Sequence, residues 1–371
     1  MPAAAMRRPS KLVAASMRCA AVLAVLTAGS LVRAAPPTAA GGSASLVAGD
    51  SILFVAKTAD AFEIHEIGAD GSGEHVIRGL PPSLECCQKW SPNGSAIALR
   101  DGQDNVVVVR INDGRTTTIA RNVASFAWSP DGRQVAYMPW GKSLQIFIVN
   151  ADGTGRRKIA GPQSRTMMGI RRDSALGSSP DRRALVHVLY GDLAWSPDRR
   201  NLAYLRSVSY SSHEPPVSAR VFLISVNGNR SRPLARLRPF VPQGLAWSPN
   251  SANIAVGGYR DSGVMTVSTR RNTKKYVTDC CVGVYDLAWS PDGKRIVFFS
   301  DSSAGPAGAI VNADGSHLRI LHITGSDAAW SPDSKRIAFE HGARSLQIVN
   351  ANGTGLRTLA KASLVAAPIW K

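Results

Sequence analysis

One short motif recurs through this chain and limits what it can fold into. Trp-Ser-Pro followed by Asp or Asn occurs at Trp90, Trp128, Trp195, Trp247, Trp289 and Trp330, and Trp370 stands in the same phase at the end. The successive intervals are 38, 67, 52, 42, 41 and 40 residues. A unit of that length, rich in short apolar runs, cannot bury both faces alone and must stack on copies of itself.

Each unit repeats one local logic. Tyr285–Trp289 reads as a strand, Ser290-Pro291-Asp292-Gly293 as a tight turn, and Arg295–Phe299 as the returning strand. Proline presets one turn position, the aspartate can accept from backbone amides, and glycine relieves the exit. A second pair follows, clearest in Leu144–Asn150, then Asp152-Gly153, then Arg156–Ile159. Asp-Gly between β-rich runs marks a hairpin.

Seven such distal turns can be counted, at Asp70-Gly71, Asp113-Gly114, Asp152-Gly153, Asn227-Gly228, Arg271-Asn272, Asp314-Gly315 and Asn352-Gly353. The expectation is therefore an all-β propeller of seven four-stranded blades, with six or eight as alternatives. Ser178–Arg183 (SSPDRR) is the segment that could add an eighth. The first strand near Ser51 has no Trp strand before it, and the last, Leu364–Trp370, has no turn after it. The C-terminal strand is thus expected to close the ring in the first blade. On this reading the repeated tryptophans pack between blades, and Asp131, Asp198, Asp292 and Asp333 shape turns; they are structural, not catalytic.

Residues 1–34 read as a secretory signal peptide, with a basic start, an apolar stretch around Cys19–Leu26 and small residues before Ala35. Residues 35–47 read as a flexible linker and 48–371 as the propeller domain. Losing five Arg or Lys from a formal +18 leaves the mature chain at +13. No later stretch is long and apolar enough to cross a bilayer. A secreted or periplasmic monomer is expected. The basic surplus favours anionic partners, and export argues against nucleic acid as one of them.

Two intervals are long. Between Trp128 and Trp195 lie Met167-Met168 and a basic run that includes Arg165, Arg171 and Arg172; between Trp195 and Trp247, Ser207–Ser218 carries His213. Insertions at loops leave sheets intact and often build binding surface. Arg165, Arg171, Arg172 and His213 are the resulting candidate contacts, beside basic clusters at Arg230–Arg238 and Arg270–Lys275.

The mature chain keeps Cys86-Cys87 and Cys280-Cys281. In an exported protein disulfides are expected, either within each vicinal pair or between pairs, with free thiols the alternative. Adjacent cysteines lack the usual bite for zinc. No HExxH, nucleophile elbow, phosphate loop or calcium loop is present, so no cofactor, metal or catalytic residue is assigned.

The recurrent W-S-P-[DN]-G, followed by an apolar strand and [IV]-x-N-A-[DN]-G-[ST], resembles the repeat of TolB-like (WD40-like, PD40) β-propeller proteins over residues 48–370. The resemblance implies an extracytoplasmic scaffold that binds envelope proteins; with the basic surplus added, the expected function is a non-catalytic scaffold for an envelope protein or an anionic envelope polymer. The short 35–47 segment implies a propeller not preceded by the small α/β domain of TolB. The competing reading is a polysaccharide lyase or hydrolase, its site assembled from His and Asp of several blades at the channel mouth.

Overall fold

Turn chemistry every 20 residues or so commits this chain to antiparallel hairpins, and the computed structural model shows 28 strands in seven sheets. It describes residues 50–58, 61–80, 84–141, 144–160, 187–209, 218–228, 231–237, 241–259, 263–278, 282–301, 307–362 and 365–371. The expected signal peptide and linker, SSPDRR, and the candidates Arg165, Arg171, Arg172 and His213 lie outside those residues, as do Cys280 and Cys281.

Blade 1 takes β1 (Ser51–Lys57), β2 (Phe62–Gly68) and β3 (His75–Leu80). Blade 2 is β4 (Leu84–Trp90), β5 (Ala96–Asp101), β6 (Val106–Arg110) and β7 (Thr116–Ala120). Blade 3 is β8 (Val123–Trp128), β9 (Gln134–Pro139), β10 (Ile146–Asn150) and β11 (Arg157–Ala160). Blade 4 is β12 (His187–Trp195), β13 (Asn201–Ser209), β14 (Ser218–Ser225) and β15 (Ser231–Leu237). Blade 5 is β16 (Val241–Trp247), β17 (Asn253–Tyr259), β18 (Met265–Ser268) and β19 (Lys274–Tyr276). Blade 6 is β20 (Val282–Trp289), β21 (Arg295–Asp301), β22 (Ala307–Asn312) and β23 (Arg319–Ile320). Blade 7 is β24 (Ser326–Trp330), β25 (Arg336–His341), β26 (Ser345–Asn350) and β27 (Arg357–Lys361). Finally β28 (Val365–Trp370) pairs antiparallel with β1, Ile52 opposite Trp370 and Ala56 opposite Val365, and completes blade 1.

The closing strand turns a row of sheets into a ring. β4 touches β8, then β12, β16, β20, β24 and β28 follow in turn, and β28 touches β4 again. These first strands form the inner wall. The chain passes from blade 3 to blade 4 as direct neighbours, so seven blades close the ring. The long interval between Trp195 and Trp247 holds longer strands than expected, since β13 runs to Ser209 and β14 begins at Ser218.

Alternation sends one set of side chains of each middle strand into each neighbouring blade. Seven buried clusters result; one joins blades 2 and 3 through Val108 and Phe126, another joins blades 7 and 1 through Phe54 and Ile348. In every blade the residue after the third strand donates to a carbonyl just before the second strand. The seven bonds, from Ala69 to Asp50 through Ala351 to Lys335, measure 2.8–3.0 Å. They place both kinds of repeated turn on one rim of the ring. By the same antiparallel logic, the two long intervals leave from and return to strand ends on the opposite rim.

Candidate functional site

The repeated carboxylates are consumed locally. Ser129 Oγ donates to Asp131 at 2.6 Å, Ser196 to Asp198 at 2.5 Å, Ser290 to Asp292 at 2.5 Å and Ser331 to Asp333 at 2.6 Å. The same aspartate oxygen accepts a backbone N–H two residues on, and the serine oxygen accepts one five residues on. For Asp131, burial pulls the pKa up, but the Ser129 hydroxyl, the Arg133 N–H and Arg199 bring it below the usual carboxylate range. Asp198, Asp292 and Asp333 are lowered as well, by their serines and turn amides. Asn93 and Asn250 fill the role without charge. A general acid or base needs a free lone pair and a pKa near working pH; these groups make turns.

The tryptophans act one level up. Trp128 Nε1 donates to Lys89 O (2.8 Å), Trp247 to Ala194 O (3.2 Å), Trp289 to Ala246 O (3.1 Å), Trp330 to Ala288 O (3.1 Å) and Trp370 to Ala329 O (3.0 Å). Each acceptor is the residue just before the preceding blade's own tryptophan. The rings thus combine large buried area with a bond that fixes blade phase, and truncation to alanine would cost about 3–5 kcal/mol. Trp195 breaks the pattern: it is 8% exposed, and its indole N–H has no acceptor among the described residues.

Part of the positive charge proves structural. In six of the seven blades, among the described residues, a cation on the outer strand reaches a turn carbonyl of the next blade. Arg78 meets Ile111 O (3.0 Å), Arg157 Val226 O (2.8 Å), Arg232 Thr269 O (2.7 Å), Lys275 Asp314 O (2.6 Å) and Arg319 Asn352 O (3.1 Å). Arg357 crosses the closing seam to Ala69 and Asp70 carbonyls. The sequence signal was there to find: Arg157, Arg232, Arg319 and Arg357 each stand four residues after a distal-turn glycine.

The remaining cations are unevenly placed. Among the described residues, blades 3–5 carry fourteen Arg or Lys and four Asp, whereas the other four blades carry sixteen of each sign. The structure also brings together two clusters that are separate in sequence. Arg232 reaches Asn272 Oδ1 at 3.1 Å and Lys274 reaches Arg236 O at 3.1 Å, interleaving them across the seam of blades 4 and 5. Arg236, Arg270 and Arg271 stand exposed around that seam. Such a surface attracts anions by long-range field as well as contact.

At the next seam, between blades 3 and 4, a cleft of about 640 Å³ opens on the turn rim. Ser129, Asp131, Gln134 and Arg157 line it from blade 3, and Trp195, Arg199, Arg200 and Asn201 from blade 4. Arg199 occupies the turn position that Gly132 and Gly293 fill elsewhere, and keeps their left-handed backbone (φ 62°). Its Nη1 crosses the seam to Asp131 Oδ2 at 2.9 Å.

The opposite charge gathers near blades 6 and 7. Burial raises the Tyr285 hydroxyl pKa, and the charges of Asp301, Asp286 and Glu340 push it further up; burial also raises Asp301. His341 accepts or donates locally at Thr324, and His65 lies between Glu63 and Glu74 on blade 1. Among the described residues no group of three or more His, Cys, Asp or Glu side chains is arranged to hold a metal. Cys86 and Cys87 lie in β4 between two register shifts, with Cys86 opposite Arg100; their side chains, like Cys280 and Cys281, fall outside the description.

No protein-family model matches the chain. Solved propellers share its fold. An oligogalacturonate lyase in complex with manganese has a TM-score of 0.58 at 13% identity, covering 85% of this chain and 86% of that one. The oligogalacturonate lyase of Vibrio parahaemolyticus gives 0.56 at 11%, covering 85% and 87%. TolB from Acinetobacter baumannii gives 0.49 at 14%, covering 87% of this chain and 66% of that one, so this chain spans just under two thirds of that protein's length. At such identities the likeness is one of fold alone: this chain is a seven-bladed β-propeller.

Proposed function

We propose that this protein is an extracytoplasmic, non-catalytic propeller scaffold whose basic half, blades 3–5, holds an anionic envelope polymer or the acidic face of an envelope protein. The observation that carries this reading is the convergence of the Arg232–Arg236 and Arg270–Lys275 clusters at one outer seam. The repeated aspartates, bound into turns, offer no catalytic series. The basic start and apolar stretch of residues 1–34 support export, and no helix among the described residues is long and apolar enough to cross a membrane.

Binding of the mature chain to polygalacturonate and to polyglutamate tests the reading. Affinity is expected to fall steeply with added salt, because exposed charges are screened over about 10 Å at 0.1 M. Arg236→Glu with Arg271→Glu is expected to weaken binding at least tenfold, while Arg344→Glu with Lys361→Glu in the balanced half changes it less than about twofold. Equal loss from both pairs would remove the basic half as the surface. The fold shared with oligogalacturonate lyases makes one control necessary: new unsaturated or reducing ends in the polygalacturonate would replace the scaffold by an enzyme.

A further inference from the structure

Three features meet at the seam of blades 3 and 4. Its tryptophan alone among those whose bonds are described lacks the carbonyl acceptor that fixes the neighbouring seams. A cleft of about 640 Å³ opens there. Finally, the left-handed turn position is bridged by a long cation. At the seams of blades 4–5 and 6–7 that position is Ser251 or Ser334, whose Oγ accepts directly from the backbone of the preceding blade's turn, at Asp198 N and Asp292 N. Arg199 instead spans the gap as an ion pair and leaves most of its five N–H donors available.

We infer that this cleft is a discrete binding site for an acidic sugar, a uronate unit of an anionic polysaccharide, and thus names the ligand class of the basic half proposed above. The lining chemistry selects for it. Arg199 and Arg200 offer planar, paired donors that match a carboxylate. Gln134 and Asn201 offer amides, able to donate and accept, which suit ring hydroxyls. The Trp195 ring lines the same cleft, and its buried N–H, unsatisfied among the described residues, leaves this wall of the cleft without the bond that fixes the neighbouring seams. Asp131 and Asp198, both held ionised, disfavour a second anionic group beside them, so one carboxylate surrounded by hydroxyls fits better than a run of acidic side chains.

The inference rests on the anion-binding reading but can fail separately from it. Trigalacturonate is titrated into the mature chain, with hexaglutamate as the peptide arm. Trigalacturonate is expected to shift the indole N–H resonance of Trp195, assigned by Trp195→Phe, while hexaglutamate leaves it in place. Arg199→Gly restores the residue of Gly132 and Gly293, so it preserves the turn, and Arg200→Ala trims a side chain only. Each is expected to weaken trigalacturonate binding about tenfold. Unchanged binding in both variants, absence of trigalacturonate binding, or a preference for hexaglutamate overturns the uronate site. If polygalacturonate binding then still depends on Arg236 and Arg271, the scaffold reading survives; if it does not, both fall.

Discussion

Blades 3–5 and the arc of blades 6, 7 and 1 are built from the same repeat, yet they use their charges differently. In the second arc the cations are matched. Arg336 pairs with Asp50 at 2.5 Å and lies over the Trp370 ring, Lys371 pairs with Glu66, and Arg357 grips the first blade's turn. Apart from the Arg336–Trp370 contact, these join the chain's two ends. In the first arc ten more cations than carboxylates are present among the described residues, and at the blade 3–4 seam the partly exposed Arg199–Asp131 pair stands where the neighbouring seams have a tryptophan–carbonyl bond. Four of the five large apolar side chains exposed among the described residues, Val76, Leu318, Ile320 and Leu356, belong to the balanced arc. The difference teaches that blade architecture needs only the turn, the tryptophan and the seam cation. Net charge is then free to differ from one sector to the next.

The comparison can be broken most severely at the closure. Deleting residues 364–371 removes β28 and the Trp370 seam, and should abolish cooperative melting, since the loss is comparable with the whole stability of a domain, about 5–15 kcal/mol. Wild-type melting in that truncation would show that ring closure is dispensable.

A gentler comparison uses the tryptophans. Trp330 and Trp195 are 7% and 8% exposed, so replacing either by phenylalanine removes similar buried area. Only Trp330→Phe also takes the indole donor from a part-buried carbonyl, that of Ala288. It should be more destabilising than Trp195→Phe by about 1–2 kcal/mol in denaturant melts. Equal losses would mean that the blade 3–4 seam is as tightly fixed as the rest.

Acid should separate the arcs in order. Burial tends to raise the Glu66 pKa, but bonds from Ser51 and Lys371 bring it below the ordinary value, as Asp292 and Asp333 are brought down in their turns. A lowered folded pKa means stability that is present above the unfolded value, about 4, and lost as pH falls through the folded one. Blade 5 turns on Asn250, which does not titrate. Hydrogen exchange below pH 4 should therefore open β1 and β28 before β16 and β17. The reverse order would assign closure to apolar packing alone.

The smallest effect expected is that of Arg199→Gly on stability. Relief of a left-handed non-glycine backbone, about 1 kcal/mol, offsets the loss of an exposed ion pair worth up to about 1 kcal/mol. The melting temperature should move by no more than a few degrees; a large fall would make Arg199 a structural strut.

Much of the fold was legible because its signals are local. Asp-Gly and Ser-Pro-Asp turns are satisfied within five residues, so their strands follow from sequence. Even the fifth distal turn, which lacks glycine, holds because Asn272 takes the left-handed conformation (φ 56°). The candidate site was legible only as charge. Arg232 and Lys275 read as surface patch and turned out to be seam clamps, because the carbonyls they bind belong to a blade some 37–39 residues away. The cleft at Trp195 left only the arginine in place of a turn glycine at position 199, since a missing bond to a neighbouring blade has no local sequence correlate.

By itself, then, the sequence determined the blade: the hairpins, the buried phase of the tryptophans, the role of the turn aspartates and the strand that returns to the beginning. Those depend on chemistry within one 40-residue unit and on a pattern that every unit repeats. The tertiary structure alone decided between seven units and the six- or eight-blade alternatives, brought two distant basic clusters to one seam, and set a cleft beside Trp195. Such features arise between residues tens to hundreds of positions apart, whose distances are set by the geometry of the ring.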